Sequence, residues 1–386
     1  MIYLDYNATT PIDPLVNKEI FKVNAEVYGN PSSPHIHGVE AEKVLVSSIQ
    51  GIQSVLNTPN RNNKLFDKEL IFTSGATEAI NMIFYSIGNR YRSGHLIIPE
   101  NEHKAVLECA RDLENRGFEI SYIPIKKDGN IDYEVLQDSI QKDTIMICCM
   151  WVNNETGIIN DIERLSELAK RRNIKFFVDA TQAIGKIDID LSHISVDYLV
   201  CSAHKIYGPN GVGLVFQNLN DASNYLLKFI QGGGQQNDLR GGTIPISLIA
   251  GFSKAMTLVS DNYEERDRIK RLKDKLEIGL TDIIGIKSNV SAKNQIFNTI
   301  NLSFEGIDTE NLLLKCKEIS FTSGSACTSE TKDLSHVLSS MGLAEEVINS
   351  SVRFSLGRFS SESDITNAIS IIGKKYKELT TAFDTI

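Results

Sequence analysis

The sequence contains few of the residues that mark secreted, metal-binding or nucleic-acid-binding proteins. Only six of its 386 residues are cysteines, and they form no CxxC pair and no His/Cys cluster with zinc spacing, which suits reduced thiols. Lys and Arg total 40 against 49 Asp and Glu, so direct binding to nucleic acid is not expected. The densest apolar run, 144–152, is too short to span a bilayer, and the N-terminus lacks the basic start of an export signal. We therefore expect a cytoplasmic protein with no metal site and no membrane segment.

Short apolar runs alternate with amphipathic ones between about residues 69 and 216, a pattern typical of parallel strands joined by crossover helices. The predicted strands of this part are 69–73, 95–99, 144–150, 175–180 and 197–204. Between two of them, apolar residues recur at helical spacing after Asn160, which we predict to be the N-cap of that helix. The sequence thus predicts a large α/β domain.

A second, smaller domain is predicted after a long charged helix at 262–280. Runs at 297–304, 318–329 and 351–358 indicate strands interrupted by helices, which favours an α+β unit. The predicted organisation is an N-terminal segment, 1–14, packing with the small domain, a large domain, 15–258, and a small C-terminal domain, 259–386.

Three strand ends carry residues that together predict a cofactor. Gly75, Ala76 and Thr77 lie between a strand and a helix, where free backbone N–H groups and the helix dipole can hold a phosphate. Asp179 ends a second strand, where it either caps the next turn or meets a buried cation. Lys205 follows a third strand, and it comes 26 residues after Asp179.

Each of these features alone has a plainer interpretation, because caps, surface lysines and structural histidines are common. Together with Ser202 and His204, which precede Lys205 in the segment CSAHK, they form the set that pyridoxal phosphate needs. Lys205 would bind the aldehyde and later transfer protons, Asp179 would keep the pyridine nitrogen protonated, and the strand-end loops would hold the phosphate.

Further candidates lie elsewhere in the chain. His103, at another strand end, can stack on a cofactor ring or exchange protons, or be structural. Cys327 is surrounded by small residues typical of an exposed loop and is predicted to be a reactive thiol, whereas the pair Cys148 and Cys149 is predicted to fill the core, as is Cys201. Arg353, within an apolar strand, needs either a substrate carboxylate or an internal ion pair.

At the level of whole motifs, the sequence resembles the cysteine desulfurases of the NifS/IscS type, which are the first group of these enzymes within the class-V aminotransferase family. The motifs that carry the resemblance are YLDYNATTP, YGNPSSPHIHG, FTSGATEAIN, NEHKAV, VNNETG, VDATQ, SAHKIYGPNGVG, GGGQQ followed by LRGGT, SGSACTS and VRFSLGR. They extend from residue 2 to about 360.

The resemblance implies a homodimeric pyridoxal-phosphate-dependent enzyme of fold type I, with a large mixed-sheet α/β domain and a smaller α+β domain. It implies that Lys205 binds the cofactor, that His103 stacks over the ring and that Asp179 contacts the pyridine nitrogen. It further implies that Asn154 and Gln182 contact the phenolic oxygen. The phosphate ligands that it implies are Thr77, Ser202 and His204, with Thr243 from the partner subunit.

The implied reaction converts L-cysteine to L-alanine and leaves the sulfur as a persulfide on Cys327, with Arg353 and Asn154 binding the substrate. The sulfur would pass to acceptor proteins that serve iron–sulfur assembly, tRNA thiolation or DNA phosphorothioation. One alternative is selenocysteine lysis or another lyase or aminotransferase reaction with the same cofactor. The alternative outside enzymes is a sulfur-relay scaffold partner with little turnover of its own.

Overall fold

The computed structural model describes residues 1–58, 68–260, 262–323 and 334–383. The strands of this part are β1 Ile2–Tyr3, β2 Leu70–Thr73, β3 His95–Pro99, β4 Glu119–Ile123, β5 Thr144–Met150, β6 Lys175–Asp179, β7 Tyr198–Ser202, β8 Gly213–Gln217, β9 Ile286–Ser288, β10 Thr299–Phe304, β11 Ile319–Ser320 and β12 Ser351–Ser355. The α-helices are α1 Pro14–Glu26, α2 Ile36–Leu56, α3 Ala76–Arg90, α4 Lys104–Asn115, α5 Tyr133–Asp138, α6 Ile162–Arg172, α7 Gln235–Asp238, α8 Ile246–Val259, α9 Tyr263–Thr281, α10 Thr309–Lys315, α11 His336–Ser340, α12 Glu345–Asn349 and α13 Glu362–Phe383. Within the described ranges, no helix combines the length and apolar character that crossing a bilayer requires.

A seven-stranded mixed sheet forms the centre of the large α/β part, in the order β2-β8-β7-β6-β5-β3-β4. Its strands pair in parallel except β8, which is antiparallel to both β2 and β7. Strands β3, β5, β6 and β7 are buried along almost their whole length, because helices cover both faces of the sheet. The predicted α/β fold with a mixed sheet is confirmed.

Successive residues of the central strands contribute to different cores. Cys148 belongs to the hydrophobic cluster that includes Ile83, and Cys149 belongs to the cluster on the other face, which includes Leu165. This alternation follows from the two-residue period of a strand. Cys148, Cys149 and Cys201 are fully buried free thiols, so their prediction as core residues is confirmed.

A separate antiparallel sheet, β12-β10-β9, lies against α9 and α13. These elements share a third hydrophobic cluster, which contains Leu276, Phe304 and Ile372. The N-terminal strand β1 pairs in parallel with β11, and Leu4 belongs to the same cluster. The chain boundaries of the two domains stay a prediction.

The predicted N-cap of α6 is wrong by one residue. Asp161 is the N-cap, and its Oδ1 accepts a hydrogen bond from the backbone N–H of Arg164 at 3.1 Å. Asn160 is buried and donates instead to the carbonyl oxygen of Met150 at 2.7 Å. Since Asn and Asp are about equally good N-caps, only this tertiary contact separates the two roles.

Candidate active site

A cavity of about 500 Å³ opens at the carboxyl ends of the parallel strands. Open α/β sheets bind ligands at this edge, because loops from neighbouring strands meet there, and ligand sites of about 300–1,000 Å³ are usual. The predicted site residues that line it are Gly75, Ala76, Thr77, His103, Asn154, Asp179, Gln182, Ser202, His204, Lys205 and Arg353. The structure therefore brings together side chains that are up to 278 residues apart in the sequence, from Gly75 to Arg353.

Two predicted residues do not line this cavity. Thr243 is exposed and lies outside the cavity of its own chain. Cys327 lies outside the described residues, as does the rest of the segment 324–333. The contribution of Thr243 across a dimer and the role of Cys327 stay predictions.

The N-terminus of α3 forms one wall of the cavity. Its N-cap is Gly75, which has no side chain to cap the helix, so backbone N–H groups of the first turn face the cavity. Gly213 of β8 packs so closely that a Cβ there would lie 2.7 Å from the backbone of Gly75. A 15-residue helix carries a positive partial charge at this end, and Thr77 adds a hydroxyl, so the wall suits a phosphate.

Asp179 ends β6 and is only 7% exposed. Its Oδ1 accepts a hydrogen bond from the backbone N–H of Thr181 at 2.9 Å, so the predicted capping role is present. The same side chain lines the cavity, and among the described residues no basic side chain forms an ion pair with it. A buried carboxylate is costly without a cation, so Asp179 can accept a charged N–H from a ligand in the cavity.

Two histidines of the cavity are neutral at pH 7. Burial, followed by the charge of Lys205, lowers the pKa of His204 to about 4, and its Nδ1 lies 3.1 Å from the hydroxyl of Thr9. Burial also lowers the pKa of His103, although Asp179 opposes this effect. The Nδ1 atom of His103 accepts a hydrogen bond from the N–H of Ala105 at 3.1 Å, so its proton is on Nε2.

Lys205 lies in a 3₁₀ turn, Ala203–Lys205, directly after β7. Its ammonium donates hydrogen bonds of 2.7 Å to the carbonyl oxygens of Asn7 and Ala8. These carbonyls belong to the N-terminal segment, which also contributes Asp5 to the cavity wall. Backbone carbonyls of this segment thus hold the amine at the cavity.

Arg353 forms the internal ion pair that was one of its two predicted roles. Its Nη2 lies 2.7 Å from Oδ1 of Asp5, and its Nη1 donates to the carbonyl oxygen of Asn154 at 3.0 Å. Its Nε is buried and has no partner among the described groups. The guanidinium is therefore oriented at the cavity wall with hydrogens still available, and its predicted contact with a substrate carboxylate stays a prediction.

Sequence reasoning missed two polar residues that line this site, Asp5 and Asn7, and a third that lies next to it, Lys186. Asn7 is 2% exposed, and its side chain donates to the carbonyl oxygen of Asn154 and to the hydroxyl of Thr299. A signal existed for the first two, because apolar and polar residues alternate from Ile2 to Asn7 and place the polar ones on a common face. For Lys186 the sequence contains no such pattern.

Ser335 connects α11 to the loop that follows β5. Its hydroxyl donates to Oε2 of Glu155 at 2.5 Å and accepts from the N–H of Leu338, so it also caps the helix. Both side chains are buried, with exposures of 4% and 3%. The next residue, His336, contacts the carbonyl oxygen of Glu102 at 2.8 Å. The chain just after residue 333 is thereby attached to two loops near the site.

Replacing Ser335 with alanine should lower the free energy of unfolding by about 1–3 kcal/mol, since the change removes an N-cap and leaves a buried carboxylate oxygen without its donor. Denaturant unfolding of the two proteins at equal cofactor content measures the difference. Ser93→Ala, at an exposed serine, is the matched control and should leave the midpoint unchanged. Equal stabilities of wild type and Ser335→Ala would contradict this assignment.

The mixed sheet and the cavity at its strand ends define a class of protein, the pyridoxal-phosphate-dependent enzymes. An uncapped helix N-terminus suits the phosphate, Asp179 suits a protonated ring nitrogen and the Lys205 amine suits an aldehyde, and all three line one cavity. The residues present therefore fit this cofactor. Among the described residues, no group of three or more His, Cys, Asp or Glu side chains could hold a metal ion.

The comparisons with known proteins agree with this class. The family model "Aminotransferase class-V" matches residues 2–367. The cysteine desulfurase IscS of Pectobacterium carotovorum is 38% identical over 384 residues, which are 98% of this chain and 93% of that protein. The cysteine desulfurase IscS of Dechloromonas aromatica is 37% identical over 383 residues, with the same shares covered.

Solved structures give the same result. A NifS-like protein superposes with a TM-score of 0.90 at 31% identity, covering 98% of this chain and all of that one. DndA from Streptomyces lividans superposes with a TM-score of 0.77 at 31% identity, covering 91% and 98% of the two chains. The chain belongs to the class-V aminotransferase family and, within it, to the cysteine desulfurases of the NifS/IscS type.

Proposed function

We propose that this protein is a pyridoxal-phosphate-dependent cysteine desulfurase that converts L-cysteine to L-alanine and receives the sulfur on Cys327. The single observation that carries the proposal is the cavity in which Lys205, Asp179 and Arg353 meet the uncapped N-terminus of α3. Its relatives support the reaction, because their names state this activity. A structure titled "SspA in complex with cysteine", with a TM-score of 0.81 and 30% identity, supports the substrate.

The residues of the cavity divide between cofactor and substrate. We assign the phosphate to the N-terminus of α3 with Thr77, Ser202 and the neutral His204. When bound, pyridoxal phosphate withdraws electrons from the substrate's α-carbon and so weakens the bonds around it. Asp179 keeps the ring nitrogen protonated, which that electron withdrawal requires. His103, which lines the same cavity, would contact the cofactor ring, and its Nε2–H is available because its Nδ1 accepts from Ala105.

The substrate is bound by its carboxylate. Arg353 is held by Asp5 and by the carbonyl oxygen of Asn154, so its remaining N–H groups are oriented before the substrate arrives. Asn154 contributes its side chain to the same wall. Lys205 would take and return a proton at the substrate's α-carbon, and neutral His103 is placed to exchange a further proton.

Sulfur transfer needs no oxidant. The Cys327 thiolate attacks the substrate's sulfur, so that an S–S bond forms while the substrate's C–S bond breaks, and the electron pair of that bond returns to carbon, which takes a proton. Alanine leaves and Cys327 carries the persulfide. An exposed loop of small residues, as the sequence around Cys327 predicts, suits a nucleophile that must afterwards meet an acceptor protein.

We further propose a cytoplasmic homodimer in which Thr243 of each subunit reaches the phosphate site of the other. The exposure of Thr243 outside its own cavity supports the exchange, and the five described cysteines are all buried free thiols, as a reducing compartment allows. The acceptor is a protein of iron–sulfur assembly, tRNA thiolation or DNA phosphorothioation. The fold and the site are compatible with each of these three, because one fold can serve several pathways.

The test begins with an absorbance spectrum of the purified protein, followed by assays of alanine and sulfide after cysteine and a reductant are added. The wild type should be yellow and release both products. Cys327→Ser should stay yellow and lose at least about 100-fold in alanine formation, since a hydroxyl is a much poorer nucleophile toward sulfur at pH 7.

Cys109→Ala is the matched control, because Cys109 is a buried free thiol on α4, and it should keep full activity. A colourless wild type would overturn the cofactor assignment. A Cys327→Ser variant as active on cysteine as wild type would leave selenocysteine lysis or another lyase or aminotransferase reaction. A yellow protein that releases no more than one alanine per subunit would instead indicate the sulfur-relay scaffold.

A further inference from the structure

Lys186 lies close to the site, and the proposed reaction gives this lysine no role. It follows the turn after β6, and its ammonium donates to Oδ1 of Asn7 at 3.0 Å and to Oε1 of Gln182 at 2.6 Å. In the part of the chain that the structure describes, no carboxylate forms an ion pair with it. Burial of the ammonium, with repulsion from Lys205 and Arg353, lowers the pKa of Lys186 to about 7. A cation in this place therefore costs stability.

The contacts of Lys186 determine which way the amide of Gln182 points. Below pH 7, where Lys186 carries its proton, its ammonium donates hydrogen bonds and accepts none, so the amide atom that faces it must be the oxygen. The nitrogen of the same amide then faces the carbonyl oxygen of Asn7, to which it donates at 2.9 Å. Because that nitrogen carries two hydrogens and Gln182 lines the cavity, one N–H remains for a ligand there.

We propose that Lys186 is a positioning residue, which orients the amide of Gln182 so that its N–H, and not its oxygen, faces the phenolic oxygen of the bound cofactor. This inference rests on the proposed function, since it requires pyridoxal phosphate in the cavity. Asn7 completes the arrangement from the other side, because its backbone oxygen accepts from Gln182 and its side-chain oxygen accepts from Lys186. Lys186 itself does not line the cavity.

The orientation has a spectroscopic consequence. An N–H that faces the phenolic oxygen stabilises its ionised form, and this lowers the affinity of the adjacent cofactor–lysine linkage for a proton. Without Lys186 the amide of Gln182 can rotate by half a turn, and its oxygen then faces the phenolic oxygen of the cofactor. The pH midpoint of the cofactor's visible absorbance should therefore rise when Lys186 is removed.

The experiment compares these midpoints for the wild type, Lys186→Met, Lys186→Gln, Gln182→Leu and the double variant Lys186→Met/Gln182→Leu. Lys186→Met should raise the midpoint by about one pH unit, a tenfold change in proton affinity. Lys186→Gln, which keeps N–H donors without the charge, should leave it within about 0.3 units. In the Gln182→Leu background, Lys186→Met should add nothing, because the two residues act through one contact. Lys170→Met, at an exposed lysine, is the control.

Each other outcome overturns the proposal. If Lys186→Met raises the pH midpoint equally in the wild-type and the Gln182→Leu backgrounds, the charge of Lys186 acts directly on the cofactor. If Lys186→Met leaves the pH midpoint unchanged, Gln182 needs no positioning. If Lys186→Met does not fold, Lys186→Gln alone decides, since a rise of about one unit in that variant would exclude the hydrogen bond as the cause. A wild type without visible absorbance would refute the proposed function instead.

Discussion

Replacing Lys205 with alanine should reduce the rate of alanine formation by at least about 10³-fold, because the residue is assigned both the covalent attachment of the cofactor and proton transfer, and the second role alone is worth roughly 10²–10⁴-fold. The fold should persist. The carbonyl oxygen of Asn7 keeps its hydrogen bond from Gln182, and Lys205 belongs to no hydrophobic core. Single-turnover assays with cysteine, at matched cofactor content, measure the loss.

The control for this change is Lys142→Ala, at an exposed lysine in a turn, which should retain wild-type activity. A spectrum of Lys205→Ala should lack the absorbance of covalently attached cofactor while the melting temperature without cofactor stays close to that of the wild type. Retention of more than about a tenth of the activity would exclude Lys205 from both roles.

Changing Asp179 to asparagine should lower the turnover number by about 10²- to 5 × 10³-fold. The carboxylate is buried, and losing one partner of a buried charge pair costs about 3–5 kcal/mol, which corresponds to this range of rates. The shape of the side chain is kept, and the amide oxygen can still accept the hydrogen bond from Thr181, so the turn after β6 should be preserved. Steady-state kinetics with cysteine should show the loss in turnover number more than in KM.

Asp138→Asn, at an exposed aspartate of α5, separates this effect from a simple change of net charge and should leave the kinetics unaltered. The cofactor spectrum of Asp179→Asn should change its position, because the ring nitrogen loses the group that keeps it protonated. Wild-type turnover in the asparagine variant would show that the carboxylate serves only as the cap of the turn.

The strands were predictable because of where they lie. Strands 95–99 and 144–150 are buried on both faces by helices, so they appear in the sequence as continuous apolar runs, and the structure places β3 and β5 at the same bounds. Residues that follow such runs come together at one edge of the sheet, which is why the sequence alone groups Asp179 with Lys205. The N-cap of α6 was not predictable to the residue, because Asn160 and Asp161 are equivalent locally and only Met150 distinguishes them.

The site was less predictable wherever a group acts through a partner distant in the chain. Arg353 had two equal interpretations, and its pair is Asp5, 348 residues away. Asn7 accepts from both Lys205 and Gln182, which no local pattern indicates. Such contacts depend on how separate elements pack, and the period of a helix or strand carries no information about them.

The amino-acid sequence by itself determined the mixed-sheet fold, the cofactor class and the strand-end residues that line the cavity. These features were predictable because a buried strand and its end appear in the sequence as an apolar run followed by polar residues. The orientation of these residues depended on tertiary packing. The N-terminal segment lies across the cavity, where Asn7 holds Lys205 and Gln182, while Lys186 reaches both Asn7 and Gln182. Hydrogen bonds have a direction and a reach of about 3 Å, so the arrangement of such polar groups becomes definite only when the packed chain brings donors and acceptors together.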